Sequence, residues 1–118
     1  MKIGEIMAAL QAEALSTNPN LEQEVHTACG SDMMSDVLAY VKDQAVLLTG
    51  LTNPQVVRTA SMMDMVCIVF VRGKRPDSAI LELAGEMGIT LLGTQLTMFQ
   101  ACGILYEKGL RGGKDESC

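Results

Sequence analysis

Four glycines, Gly30, Gly50, Gly73 and Gly93, each follow an apolar, strand-like run and precede a helix-starting signal. The runs are Val25–Cys29, Ala45–Thr49, Val66–Val71 and Ile89–Leu92. The signals are Ser31-Asp32, Asn53-Pro54, Pro76-Asp77 and the stretch from Thr94 to Thr97. Glycine lets the backbone turn sharply at a strand exit, and Ser, Asp, Asn or Thr then caps the helix that follows. Strands alternating with helices in this way build a parallel sheet whose strand C-termini share one edge, where open α/β folds usually bind ligands. The expected fold is therefore α/β, a single compact domain with a mainly parallel central sheet flanked by helices. The pattern locates a site but names no reaction.

Between these units the periodicity is clear. Ile3, Ile6, Met7 and Leu10 share one helical face,. Glu13–Ser16 reads as a short strand, and Thr17-Asn18-Pro19-Asn20 as a turn,. Ser31–Val41 reads as a capped turn running into a short helix. A helix from Pro54 to Met65 turns Val56, Val57, Ala60 and Met63 inward, with Asn53 and Pro54 as its start,. The next, opened by Pro76, turns Ile80, Leu83, Ala84 and Met87 inward and stops at Gly88,. Thr97 with Gln100 makes a capping box ahead of the stripe Met98, Ala101, Cys102 and Leu105,. Residues 1–110 form the domain in this reading, and 111–118 a disordered tail,.

Composition removes several classes of function. Hydrophobic residues are 48% of the 118, too many for a disordered chain. With two Phe, two Tyr and no Trp, the chain offers few rings for stacking on bases. A net charge of −5 opposes nucleic acid and acidic membranes as partners. The longest apolar run, Met65–Val71, falls far short of the roughly 20 residues a membrane span needs. Met1-Lys2-Ile3-Gly4-Glu5 lacks the apolar stretch of a signal peptide,. The expected location is the cytoplasm.

Cys29, Cys67, Cys102 and Cys118 show no metal-ligand spacing,. The first three are expected as buried, reduced thiols, and no metal or other cofactor is expected. His26 has no discernible partner, and the catalytic inventory is poor: one His and no plausible triad,.

Polar groups do gather at the strand exits. Ser31-Asp32 and Ser35-Asp36 repeat four residues apart, which on a helical turn would form a polar cradle; successive capping residues are the plainer reading. Arg72-Gly73-Lys74-Arg75 concentrates three of the nine basic residues before a helix, an arrangement suited to an anion. Thr49, Asn53 and Thr94 close the same edge. The candidate ligand-binding set is Ser31, Asp32, Ser35, Thr49, Asn53, Arg72, Gly73, Lys74, Arg75 and Thr94, with no catalytic residue and no metal ligand.

The segments Ser31-Asp32-Met33-Met34-Ser35-Asp36-Val37-Leu38, Thr52-Asn53-Pro54, Val71-Arg72-Gly73-Lys74-Arg75-Pro76-Asp77 and Leu92-Gly93-Thr94 together resemble stand-alone DRTGG-domain proteins, over roughly residues 1–110. Aligned so, the family's Asp-Arg falls on Asp32-Met33 and its Thr-Gly-Gly on Val71-Arg72-Gly73. The chain then keeps the Asp and one Gly and departs at the other three. The resemblance implies a small α/β module, found alone or beside CBS domains, pyrophosphatases and phosphotransacetylases, and similar to the N-terminal domain of HPr kinase/phosphorylase. It implies dimer formation, and association with enzymes without supplying catalytic residues.

The reading that follows is a non-catalytic regulatory or ligand-sensing module, binding a small anionic metabolite or nucleotide at the sheet's C-terminal edge. The alternative is an interaction subunit that docks on a metabolic enzyme without a small ligand, with Met62, Met63 and Met65 as its candidate patch. A small phosphotransfer or hydrolytic enzyme using Asp32 or Asp36 comes last.

Overall fold

The computed structural model describes residues 1–39 and 43–112. Ten elements follow in order: α1 (Ile3–Ala9), β1 (Glu13–Ala14), β2 (Thr27–Gly30), α2 (Met34–Leu38), β3 (Ala45–Thr49), α3 (Pro54–Met62), β4 (Met65–Phe70), α4 (Ser78–Glu86), β5 (Thr90–Gly93) and α5 (Met98–Glu107). The strands form one sheet in the order β1-β5-β4-β3-β2. β2 through β5 pair in parallel, and β1 runs antiparallel to β5. The mainly parallel α/β sheet expected from the strand runs is the observed one.

Alternation along the strands divides the core into two halves. Leu47, Ile68, Phe70 and Leu91 face Val37, Val56, Val57, Ala60, Ile80 and Ala84 of α2, α3 and α4. Val46, Leu48, Val69 and Leu92 face Ile3 and Ile6 of α1 and Ala101 and Leu105 of α5. A strand covered on both sides reads as a near-continuous apolar run, and all five residues of β3, Thr49 included, are buried.

Three helix caps have direct chemical causes. Asn53, Asp77 and Thr97 each accept a hydrogen bond through the side chain, from the backbone N–H of Val56, Ile80 and Gln100. Proline occupies the first helical position only in α3; Pro76 lies outside α4, which Asp77 caps. α2 departs most from expectation. It begins at Met34, its N-cap Met33 makes no side-chain bond, and Ser31 and Asp32 lie ahead of it. The helical cradle of two Ser-Asp pairs is therefore absent.

The glycines act differently from the simple expectation. Of the four, only Gly73 has a left-handed backbone (φ 70°). Gly30 is bare for space: a Cβ there would lie 2.6 Å from the Cys102 sulfur. Arg111, placed at the start of the tail by the sequence, bridges to Thr27, and its carbonyl accepts from Ala28 N–H at 2.9 Å. Residues 113–118 lie outside the described residues. Among those described, no helix is long and apolar enough to cross a membrane.

Candidate functional site

The exits of β2, β3 and β4 meet at Asp32. Its Oδ1 accepts from Gly50 N–H at 2.6 Å and from Thr49 Oγ1–H at 3.1 Å. Accepting from both donors, the carboxylate ties the β2 exit to the β3 exit. Arg72 approaches from the third strand, with Nη2 3.8 Å from Asp32 Oδ2. Its guanidinium lies over the bare Cα of Gly50, where any Cβ would collide with it. Both side chains stay partly open, 46% and 40% exposed, so this ion pair is long and in reach of water.

The backbone around Arg72 is unusual. Arg72 (φ 57°) and Gly73 (φ 70°) are consecutive left-handed residues, a conformation that costs a non-glycine residue about 1–2 kcal/mol. Two hydrogen bonds hold it: Arg72 N–H to the Leu96 carbonyl (2.8 Å) and Gly73 N–H to the Thr94 carbonyl (2.9 Å). After β4 the chain turns toward the face that carries α4, and after β5 toward the face that carries α5. Exits that diverge in this way open the crevice where such sheets bind ligands. The same two bonds tie the β4 exit to the segment that follows β5.

The other expected residues disperse. The Ser31 hydroxyl accepts from Met33 N–H in a local turn, and Ser35 stands exposed on α2. Asn53 is occupied in capping α3. Thr94 is buried; its hydroxyl donates to the Leu10 carbonyl and accepts from Leu96 N–H. Gly73 lies beneath the Gln95 side chain. Lys74 is exposed and pairs with no acid among the described residues. Arg75 leaves the group, pairing with Glu13 of β1. Asp32, Thr49 and Arg72 thus converge, and Gly50 joins them unannounced: its glycine was legible, its N–H as the Asp32 donor was not.

A hollow lies elsewhere on the domain. About 600 Å³ opens between α4 and the turn before β2, walled by Ser16, Asn18, Leu81, Glu82, Gly85 and Thr90 among others. Among the described residues no cluster of three or more His, Cys, Asp or Glu could hold a metal, and every buried side-chain polar atom has a partner.

His26 has a partner the sequence did not show, with Nδ1 3.4 Å from Asp43 Oδ2. Cys67 is a buried free thiol on central β4, and burial pushes its pKa up. Cys102, half-buried, shifts the same way for the same cause. Cys29 is disulfide-bonded, against the expectation of a reduced thiol. Because the thiolate is the reactive form, iodoacetamide at pH 8 is expected to spare Cys67 in the folded protein. Mass spectrometry should find Cys67 modified only after unfolding.

The sequence profile of the DRTGG domain family matches residues 5–107 of the 118. The chain belongs to the DRTGG domain family. The same fold is seen in the crystal structure of the CBS and DRTGG domains of the regulatory region of Clostridium perfringens pyrophosphatase, complexed with the activator diadenosine tetraphosphate. The superposition has a TM-score of 0.72 at 20% identity, covering 88% of this chain and 45% of that one. The chain therefore spans less than half the length of this neighbour. No curated protein matches the chain. In this DRTGG domain the Thr-Gly pair that touches Asp32 is Thr49-Gly50. Arg72, at the exit of β4, brings its guanidinium to the same carboxylate.

Proposed function

We propose that this DRTGG domain is a non-catalytic regulatory module that senses a small anionic metabolite or nucleotide at the C-terminal edge of its sheet. The observation that carries the reading is Arg72: a left-handed residue whose guanidinium is laid across the β3 exit and held to Asp32 only at 3.8 Å. Backbone held in a sparsely populated region clusters at ligand sites, and an exposed ion pair is worth at most about 1 kcal/mol. A phosphate or carboxylate offering bidentate contact would outcompete Asp32 for the guanidinium, with Lys74 close by in sequence to add charge. The family and the nucleotide-activated pyrophosphatase neighbour support a sensing role. The same proposal places the protein in the cytoplasm as a homodimer acting beside a metabolic enzyme.

The test is thermal unfolding against nucleotides, inorganic phosphate, phosphorylated metabolites and carboxylates. A ligand at about a hundred times its dissociation constant should add about 2.7 kcal/mol of stability. Arg72→Ala is expected to abolish that gain and Lys74→Ala to reduce it, while Arg75→Ala, whose partner is Glu13, leaves it unchanged. No stabilisation by any anion rejects the reading, and an unchanged response in Arg72→Ala rejects the site.

The docking alternative keeps one observation. Phe99, in the first turn of α5, is 87% exposed. The methionine patch does not survive as a surface: Met62 is 69% exposed, but Met65 is buried and Met63 packs against the core. Loss of a co-purifying enzyme in Phe99→Ser, with anion response intact, would favour docking.

A further inference from the structure

We infer that the hollow beside α4 is a second binding site, separate from the sheet edge, for an uncharged sugar ring. Its volume, about 600 Å³, falls within the usual range of small-molecule sites. Leu81 and Ile89 give it an apolar wall, and Ser16, Thr17, Asn18 and Ser78 line it with hydroxyl and amide groups. Glu82 is the one charged residue among those that line it, so the wall offers no cation to a phosphate and a strong acceptor to a diol.

The hollow is braced before any ligand arrives. Ser16 Oγ accepts from Leu91 N–H at 2.7 Å, and Asn20 N–H donates to Thr90 Oγ1 at 3.1 Å. These bonds hold the turn against the start of β5. Gly85 sits inside α4, takes an ordinary helical φ, and a Cβ there would meet nothing within 4 Å. Glycine is the poorest helix former after proline, and α5 carries an equally open one at Gly103, which lines no such hollow. At Gly85, what the missing side chain leaves clear is the wall of this hollow.

The ring chemistry is shared by a free pentose and a nucleoside, and the assay separates them. Isothermal titration of the full chain with D-ribose and with adenosine is expected to show saturable binding of at least one. Ribose binding assigns the site to free sugar, and adenosine binding alone assigns it to a nucleoside. Gly85→Leu extends a side chain into the hollow while improving the helix, so binding should weaken by about tenfold or more with the helical circular dichroism retained. Gly103→Ala, an equally open glycine on α5, should not change binding. Arg72→Ala should not change it either, which keeps this site distinct from the anion site. Failure of both probes to bind, or unaltered binding in Gly85→Leu, overturns the inference.

Discussion

Phe70→Ala is expected to destabilise the fold by about 3–5 kcal/mol, whereas Phe99→Ala should stay within about 0.5 kcal/mol of wild type. These are the two phenylalanines of the chain, and the sheet treats them in opposite ways. Phe70 ends β4, is fully buried, and heads the largest side chains of the core. It packs with Leu47, Ile68 and Leu91 of the sheet and with residues of α3 and α4. Truncation removes its transfer free energy and leaves a cavity that the rigid sheet cannot collapse into. No aromatic neighbour is available in that cluster to fill it. The loss is a large share of the 5–15 kcal/mol that holds a typical domain folded. Urea titration of both variants reads the contrast directly. Near-equal losses would mean that Phe99 is covered in solution by something its 87% exposure does not show.

The sequence made the centre of the sheet legible because a strand covered on both faces reads as a near-continuous apolar run, as β3 and β4 do. β3 falls on Ala45–Thr49 as expected, and β4 is shifted by one residue at each end. The caps at Asn53, Asp77 and Thr97 were legible because each is a side chain bonding a backbone N–H a few residues away. What escaped were contacts between residues distant in sequence. Ser31 and Asp32 look like helix starters, but the Asp32 carboxylate is captured by Thr49 and Gly50, which no local pattern encodes. The run Arg72-Gly73-Lys74-Arg75 reads as one basic patch. The structure sends Arg72 to Asp32 and Arg75 to Glu13, because left-handed turns at 72 and 73 reverse the chain between them. Glycine misleads in the same way: Gly93 looks like a turn residue, yet a Cβ there would lie 3.1 Å from Leu15 Cδ1. The hollow beside α4 depends on a turn and a helix about 60 residues apart in sequence, and left no trace in any motif.

Asp32 separates structural from ligand-binding roles at the sheet edge. Asp32→Ala removes an anionic acceptor from two donors, Gly50 N–H and Thr49 Oγ1–H. Hydrogen bonds to charged groups contribute about 1.5–3 kcal/mol each, but partial exposure lets water replace some of that, so a loss of about 2 kcal/mol is expected. Asp32→Asn keeps a carbonyl oxygen in place and should lose less. Anion affinity is expected to move the other way. With Asp32 neutral, the Arg72 guanidinium loses its competing carboxylate at 3.8 Å, and a like charge no longer faces the incoming ligand. Phosphate should then bind Asp32→Asn several-fold more tightly, matching about 1 kcal/mol for a partly exposed pair. A protein that is less stable but grips phosphate harder identifies Asp32 as the group an anion displaces. Weaker phosphate binding in Asp32→Asn would show instead that the carboxylate orders Arg72 for the ligand. The two outcomes have opposite signs, so one calorimetric titration at low ionic strength distinguishes them.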